Sequence, residues 1–406
     1  MTSTTTLERT AADRVRKSQA LRERAMKVLA RGHQGHRNPH DTLALGGPGY
    51  ASRSLGSRIW DVDGNEYIDY VMSFGPIVLG HADPEFNEAI TRRIARGTVT
   101  SIQEADEVEL AEALVERVPS AEMASLFIGG SSACLAALRY ARASTGKTMA
   151  IKCGYHGWLD WSGAGGEGIP SRVSDLTIEV KYNDLEAIEA AFEAHPSDIA
   201  AVFIESVQDD GPREGYFDAV RDIAHRHGAV FVVDEVKTGF RYAIGGAQEY
   251  YGIEPDLSVF AKALSNGYPG SAVVGRREIF ESADARMGAT FHGDGLSIAA
   301  ALETIRRLER DDGIAHLWRI GERLKEGLSE VFDASGGWMT VKGDPPMLRV
   351  QPAELEDPRG AAFFAGMHLR GVYMIRGVCF ASLAHTESDV DQTIEAAGGT
   401  VASADA

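Results

Sequence analysis

The chain reads IAAVFIESVQDDGPREGYFDAVRDIAHRHGAVFVVDE over residues 199–235, and this stretch decides its fold. It begins with a short apolar run, rich in β-branched residues, that ends at Glu205. A segment with apolar residues at helical spacing follows and stops at Gly228, and a second apolar run ends at Asp234 and Glu235. Strand, helix and strand in this order predict a parallel α/β sheet. Acidic residues at the carboxyl ends of such strands lie where open α/β sheets bind ligands.

The same alternation of helix and strand patterns extends over residues 108–305. In a further unit, Asn183 is predicted to cap a helix, because Glu186 follows it three residues later and apolar residues then recur at helical spacing. The alternation breaks near residues 306–312. A helical stretch and a smaller α+β segment are predicted to finish the chain.

A β-hairpin is predicted for residues 57–70, SRIWDVDGNEYIDY. Two alternating apolar stretches flank Asp63-Gly64, the strongest short hairpin signal in the chain. The sequence thus predicts three regions: an N-terminal segment with a helix and this hairpin (1–75), a large α/β domain (76–306) and a small C-terminal α+β domain (307–406).

Acidic residues outnumber basic residues in this 406-residue chain by 59 to 41, which gives a formal charge of −18. A nucleic-acid-binding surface is basic, so nucleic acid is not an expected partner. Three cysteines without a CxxC pair, and no completed histidine cluster, predict neither a disulfide scaffold nor a metal site. No secretory signal and no membrane-spanning run is predicted. We expect a cytoplasmic enzyme whose charge favours a cationic small molecule.

Amine chemistry is indicated by Lys262. It follows the apolar run 257–261 and precedes a glycine-containing turn. Burial lowers the pKa of a lysine and favours the neutral nucleophile that a Schiff base requires. Asp234, at the end of the preceding predicted strand, supplies a carboxylate. The alternative is an ordinary solvated lysine, as most lysines are.

An anion-binding turn is indicated by residues 127–142, FIGGSSACLAALRYAR. Gly129, Gly130, Ser131 and Ser132 precede a helix, whose N-terminal N–H groups and dipole attract an anion such as phosphate. The spacing matches neither of the common nucleotide-binding glycine motifs. A plain serine cap after a tight turn is the alternative interpretation.

An aromatic platform is the third element of the site. Tyr155 and His156 stand before Gly157 in CGYHGWLDW, where they offer a ring for stacking on a planar cofactor or simply pack in a loop. The sequence thus contains a phosphate anchor, a stacking ring, a carboxylate for a ring nitrogen and a Schiff-base lysine. Pyridoxal phosphate (PLP) requires all four.

With these motifs the chain resembles the class III, fold type I, PLP-dependent aminotransferases, and among them the glutamate-1-semialdehyde aminomutase branch. The resemblance covers about residues 56–397 and rests on several long motifs in the family's order. It implies a large domain with a mostly parallel seven-stranded sheet, a smaller α+β domain, PLP as cofactor and a homodimer with shared active sites. The motifs are WDVDGNEYIDYVMSFGPIVLGH, GGSSA, YHG, VVDEVKTGFR, PDLSVFAKALSNGYP and ATFHGDGLSIAAAL.

The resemblance also implies a role for each matching residue. Lys262 bonds the cofactor and then moves the substrate proton, while Asp234 pairs with the protonated pyridine nitrogen. Val236 packs on one face of the ring and Tyr155 on the other, and Thr290 reaches the phosphate of the other subunit. The further cofactor-binding residues that it implies are Gly129, Gly130, Ser131, His156, Asp210 and Lys237.

Departures from the aminomutase pattern bear on the substrate. Ser132 stands where the family has a glutamate, and the arginine that grips the aminomutase's substrate carboxylate is missing. Asp210 and Lys237 fall near the cofactor's phenolic oxygen, where we hypothesise an ion pair; the alternative is that both point to solvent. Asp209 adds a carboxylate at the mouth of the site, and Phe74 replaces a tryptophan. Ser132, Asp209 and Phe74 are the predicted substrate residues.

Three functions are compatible with these residues. The first is an aminotransferase acting on a cationic amino sugar or aminoglycoside intermediate of secondary metabolism. The second is a PLP-dependent isomerase, an aminomutase or epimerase, that uses the same Lys262 proton shuttle without net transfer. The third is a catalytically silent protein with this fold, which the intact Lys262, Asp234 and phosphate turn disfavour.

Overall fold

The protein is described here by a computed structural model that covers residues 14–163, 166–282, 285 and 287–404. Helices and strands alternate over residues 108–305, as the sequence predicts. The helices are α1 (Arg16–Val28), α2 (His40–Leu43), α3 (Pro84–Arg96), α4 (Ala105–Arg117), α5 (Gly130–Thr145), α6 (Ser171–Ser174), α7 (Leu185–Ala194), α8 (Tyr216–Arg226), α9 (Ala247–Tyr251), α10 (Arg277–Glu281), α11 (Gly295–Arg310), α12 (Gly313–Ala334), α13 (Arg359–Leu369) and α14 (Glu387–Ala404). The strands are β1 (Ala51–Leu55), β2 (Arg58–Asp61), β3 (Glu66–Asp69), β4 (Met123–Ile128), β5 (Met149–Cys153), β6 (Thr177–Glu179), β7 (Ile199–Glu205), β8 (Val230–Asp234), β9 (Leu257–Phe260), β10 (Gly270–Gly275), β11 (Met339–Asp344), β12 (Met347–Pro352), β13 (Val372–Tyr373) and β14 (Val378–Phe380).

Two compact units divide the described chain. One is Pro84–Ile314, and the other unites the described parts of Met1–Asp83 and Ala315–Ala406. The structure therefore places the N-terminal and C-terminal segments in one unit. The three-region division at residues 75/76 and 306/307 stays a prediction from the sequence.

A seven-stranded sheet forms the core of the unit Pro84–Ile314, in the order β4-β10-β9-β8-β7-β5-β6. Strand β10 runs antiparallel to both of its neighbours, and the remaining neighbouring pairs are parallel. The predicted α/β class with a mostly parallel sheet is confirmed. Strands β7 and β8 and the helix α8 between them lie where the apolar runs of the deciding stretch predict them.

The middle strands bring their carboxyl ends into line. Every residue of β7, β8 and β9 is buried, and the β-branched and aromatic side chains of β7 and β8 pack against helices on both faces of the sheet. Glu205 pairs with Asp234 across β7 and β8, and Asp234 pairs with Val259 across β8 and β9. The ends of three buried strands therefore form one edge, which positions the candidate site.

The cap of helix α7 differs from the prediction. Asp184, not Asn183, caps it, with Asp184 Oδ1 accepting a hydrogen bond from the Ala187 N–H at 3.0 Å. Asn183 has a left-handed backbone (φ 64°), which asparagine tolerates well. Its amide donates to the Gly211 carbonyl and accepts from the Arg213 N–H, so this side chain holds the loop after strand β7 and does not cap the helix.

Two small sheets belong to the other unit. The predicted hairpin is confirmed: β2 and β3 pair antiparallel within the order β1-β2-β3-β13. Strand β13 joins this sheet parallel to β3, and β11, β12 and β14 form a separate antiparallel sheet.

The predicted break near residues 306–312 is confirmed as the boundary between two helices. Helix α11 ends at Arg310 and helix α12 begins at Gly313, with Asp312 in a left-handed conformation between them (φ 49°). Among the described residues, no helix is both long enough and apolar enough to span a membrane.

Candidate active site

Lys262 opens a 3₁₀ turn, Lys262–Ser265, directly after strand β9 and Ala261. Its φ of 48° lies in the left-handed region, which is costly for a residue with a long side chain and is often found at functional sites. Part of its surface stays exposed. Burial is nevertheless the main cause that lowers the pKa of its amine to about 8, followed by the nearby positive charge of Lys237. A lysine in this state is neutral in a substantial fraction near pH 8, as a nucleophile requires.

Asp234 lies at the centre of a buried hydrogen-bond network. His156 Nδ1 is 2.7 Å from its Oδ2, and the Cys134 thiol donates to the same oxygen over an Sγ···Oδ2 distance of 3.5 Å. The Val236 N–H donates to Oδ1 at 2.9 Å. Burial is the largest single influence and opposes ionisation, but the hydrogen bond and charge of His156, the Val236 N–H and the charge of Lys262 together outweigh it, so the net pKa of Asp234 is lowered. The carboxylate is thus kept ionised inside the protein.

His156 is not exposed like its neighbour Tyr155, as a ring that stacks on a cofactor would be. It is buried, its ring stacks on Trp161, and its Nε2 lies 3.2 Å from the Cys153 carbonyl oxygen. We therefore correct its predicted role as a stacking platform: His156 orients Asp234. Tyr155 itself is exposed.

Cys134 also lies near Asp234. Nothing in the sequence indicated this, because Cys134 has no cysteine partner at a motif spacing. Together with His156 and Asp234 it forms a group whose ligand-type atoms lie within 4.8 Å of one another. The hydrogen bonds to Asp234 account for this spacing. Burial, and then the charge of Asp234, raise the pKa of Cys134 well above its ordinary value, so the thiol stays a donor.

The glycine-rich turn begins helix α5. Gly129 takes a backbone conformation that favours glycine (φ 79°), and Gly130 and Ser131 form the first turn, whose N–H groups lack intrahelical acceptors. A Cβ on Gly157 would lie 2.2 Å from Ser131 Oγ, and one on Gly130 would lie 3.2 Å from the Val236 methyl carbons. The structure therefore brings the turn, the Tyr-His-Gly loop and the Val236 turn together beside the N-terminus of helix α5, the kind of helix end that attracts anions.

Lys237 pairs with a carboxylate that the sequence interpretation did not assign to the site. Its Nζ is 2.5 Å from Glu205 Oε1 at the end of strand β7, so Glu205 is a partner of Lys237 that the hypothesised pair with Asp210 did not include. Glu205 could have been found from its position, since it ends a buried strand next to the strand of Asp234. A cavity of about 330 Å³ opens beside this pair. It is lined by Tyr182, Asn183, Glu205, Gln208, Asp209, Asp210 and Lys237.

Three further predicted residues lie at different places in the described chain. Ser132 lies in the first turn of α5, and Thr290 is exposed in a turn before helix α11. Phe74 belongs to the other unit, where it lies edge-on to His36 with ring centroids 6.1 Å apart. The roles of these three residues stay predictions.

Comparison with known proteins agrees with the geometry of the site. The model of the family described as "Aminotransferase class-III" matches residues 47–378. The chain belongs to the class-III aminotransferase family. A glutamate-1-semialdehyde 2,1-aminomutase of Persephonella marina is 37% identical to this aminotransferase-family chain, over 86% of the chain and 90% of the relative. A 3-aminobutyryl-CoA aminotransferase of Cloacimonas acidaminovorans is 33% identical, over 94% of the chain and 95% of the relative.

Solved structures give the same result for the fold of this member of the class-III aminotransferase family. The PLP internal aldimine form of the Sphingopyxis sp. MTA144 FumI protein superposes with a TM-score of 0.90 at 32% identity, covering 95% of each chain. The chain therefore has the fold of the fold type I PLP-dependent transferases and is a PLP-dependent enzyme. Its own residues fit PLP: a lysine with a lowered pKa, a buried ionised carboxylate and a helix N-terminus meet at one sheet edge.

Proposed function

We propose that this enzyme is an aminotransferase that moves an amino group between an amino donor and the carbonyl group of a small molecule. The observation that carries the proposal is the placement of Lys262 and the ionised Asp234 at the ends of neighbouring strands. When bound, PLP supplies the electron sink that lets a substrate lose its α-proton. The side chains of the site supply the amine, the proton transfer and the fixed charge.

Each residue of the site has a definite task in this proposal. Lys262 Nζ would bond PLP and would then carry the substrate proton, and its partly neutral state suits both tasks. Asp234, held by His156, would accept a hydrogen bond from the pyridine N–H. Gly129, Gly130 and Ser131 offer backbone and hydroxyl donors to the phosphate. Val236, Tyr155 and the partner subunit's copy of Thr290 complete the cofactor site of a homodimer.

The substrate that we propose is a cationic amine of the amino-sugar or aminoglycoside type. The cavity beside Lys237 is lined by three carboxylates, Glu205, Asp209 and Asp210, against one ammonium group. Its charge therefore favours a polyamine over a carboxylic acid. The chain's formal charge of −18 acts in the same direction.

The decisive test is a visible spectrum of the purified holoenzyme during titration with glutamate, glutamine and a panel of amino sugars. We expect one of these amines to convert the bound cofactor to the pyridoxamine form and thereby to be identified as the donor. If every amine tested leaves the PLP form unchanged, the proposed transfer is wrong. A donor that is an acid, with no amino sugar reacting in either direction, would refute the proposed substrate class alone.

An aminomutase is the second candidate, favoured by the relatives of that name at 37% identity. It would use the same Lys262 but return the nitrogen to the molecule that supplied it. A ¹⁵N-labelled substrate separates the two functions: the aminomutase keeps the label in its product, whereas the aminotransferase passes it to a different acceptor.

A further inference from the structure

Two lysines leave the sheet at the same edge. Asp234 and Val259 are paired on the parallel strands β8 and β9. Lys237 follows Asp234 by three residues, and Lys262 follows Val259 by three residues. Parallel strands end at the same side of a sheet, so the register places both lysines just beyond the same end of neighbouring strands.

The ammonium group of Lys237 is a fixed charge at this edge. Its Nζ lies 2.5 Å from Glu205 Oε1, and Glu205 Oε2 in turn accepts from Gln208 Nε2 at 3.3 Å. The turn that carries Lys237 is tied to the end of strand β7, because the hydroxyl groups of Ser206 and Thr238 hydrogen-bond at 2.6 Å. Both the side chain and its backbone are therefore anchored.

We propose that the Lys237 ammonium group, held by Glu205, is a positioning residue that disfavours a proton on Lys262 Nζ. This inference rests on the proposed function, in which Lys262 bonds PLP. A like charge held near a partly buried amine makes protonation of that amine more costly. A neighbouring cationic group is an established means of activating a lysine nucleophile.

The charged groups around Lys262 agree with this role. They are Lys237, Asp234, Glu205 and Arg241. After burial, Lys237 is the largest cause of the lowered pKa of Lys262, ahead of Arg241, while Asp234 and Glu205 act in the opposite direction. Of the four, Lys237 and Glu205 form an ion pair. Either one can be substituted without removing a side-chain hydrogen-bond donor to Asp234.

The inference predicts shifts of opposite sign in the holoenzyme. The visible spectrum of bound PLP reports, as a function of pH, whether the nitrogen contributed by Lys262 carries a proton. Lys237→Met removes the positive charge and is expected to raise the midpoint of this titration by about one pH unit. Glu205→Gln removes the compensating carboxylate and is expected to lower it.

Two control variants separate charge from packing. Lys237→Arg keeps the positive charge and is expected to titrate like the wild type. Lys181→Met removes an exposed lysine beyond strand β6 and is likewise expected to leave the midpoint unchanged. If Lys237→Arg shifts the midpoint as much as Lys237→Met, packing is responsible and the inference is wrong.

Borohydride reduction followed by peptide mapping separates a failure of the proposed function from a failure of the inference about Lys237. PLP attached elsewhere than at Lys262 in the wild type would refute the proposed function. PLP attached at Lys262, with an unshifted midpoint in Lys237→Met, would overturn the inference and leave the proposed function intact. If Lys237→Met holds no PLP, Glu205→Gln decides, because an unshifted midpoint there overturns the inference as well.

Discussion

At the residue scale, the site depends on which hydrogen-bond donors surround the carboxylate of Asp234. Asp234 accepts hydrogen bonds from His156, Val236 and Cys134. A carboxylate has about four acceptor positions, so one remains for the pyridine N–H that the proposed function assigns to Asp234. The His156 ring lies within hydrogen-bond distance of an oxygen at each of its nitrogens, Asp234 Oδ2 at Nδ1 and the Cys153 carbonyl oxygen at Nε2. Asp234 is thus held in one orientation by a ring that is itself fixed at both nitrogens.

His156→Phe tests this orientation. The variant removes the strongest donor to a buried carboxylate, which costs roughly 1.5–3 kcal/mol for a hydrogen bond to a charged group, or about ten- to a hundredfold in an equilibrium constant. We expect the affinity for PLP to fall by a factor in this range, measured by equilibrium dialysis.

The control is His225→Phe. His225 forms a pair of the same kind with Asp256, at 2.9 Å, but near the end of helix α8 that leads into the start of strand β8. That end of the strand is opposite to the one that carries Asp234, so PLP affinity should stay near the wild-type value. Equal losses in both variants would show that a general loss of stability, not the orientation of Asp234, is responsible.

At the scale of elements, a glycine lets the Tyr-His-Gly loop approach helix α5. Gly157 has φ 104°, and a Cβ there would lie 2.2 Å from Ser131 Oγ and 2.8 Å from Ser131 Cα. Gly157→Ala is therefore expected to displace the first turn of α5 and lower PLP affinity at least tenfold, in addition to the strain of about 1 kcal/mol for a left-handed residue.

Gly146→Ala is the matched control at the other end of the same helix. Gly146 is also left-handed, with φ 70°, but a Cβ there would have no neighbour within 4 Å. The free energy of unfolding should fall in both variants, measured by denaturant titration, whereas PLP affinity should fall only in Gly157→Ala. A comparable loss of PLP affinity in Gly146→Ala would contradict this interpretation.

A second prediction at this scale concerns the clamp between helices α3 and α11. Glu85 lies 2.5 Å from both Arg306 and Arg310, and these hydrogen bonds, Arg310 first, lower its pKa to about 2. Because the folded-state pKa lies below the ordinary value of 4.5, the stabilisation is present above pH 4.5 and is lost as the pH falls toward 2. Glu85→Gln should lower the melting temperature at pH 7, with a difference from wild type that shrinks toward pH 3.

Glu88→Gln is the control on the same helix. Glu88 forms an exposed i,i+4 pair with Arg92, and such pairs contribute little. We expect its melting curve to follow the wild type at every pH. Parallel curves for wild type and Glu85→Gln down to pH 3 would show that the clamp does not stabilise the fold.

The helices and strands also show which features of the structure can be predicted from the sequence. Strands β7 and β8 were predictable because a buried parallel strand is a continuous apolar run. The cap at Asp184 was not predictable, because either Asn183 or Asp184 could cap the helix. The choice depends on Arg213, thirty residues later in the sequence, whose N–H donates to the Asn183 side chain. The pairing of Lys237 with Glu205 depends on strand register, which a local pattern does not contain.

At the scale of the whole molecule, the proposed homodimer has a candidate surface. Val99, Ile102, Val108 and Phe291 are exposed apolar side chains of the unit Pro84–Ile314. Their segments adjoin, since the Gly295 N–H donates to the Thr98 carbonyl at 2.8 Å. An exposed apolar group of this kind is typical of a protein–protein interface, and Thr290 immediately precedes Phe291.

Subunit mixing tests whether the active sites are shared across that surface. If Thr290 reaches the phosphate of the partner's site, Lys262→Ala and Thr290→Ala subunits complement each other, because a mixed dimer contains one site with both residues intact. Random pairing makes about half of the dimers mixed, so about a quarter of all sites should bind PLP with wild-type affinity. Fluorescence titration at limiting PLP measures that fraction. Each variant alone should show none, and a mixture that behaves as the plain sum of its two parents would show that Thr290 serves its own subunit or no site at all.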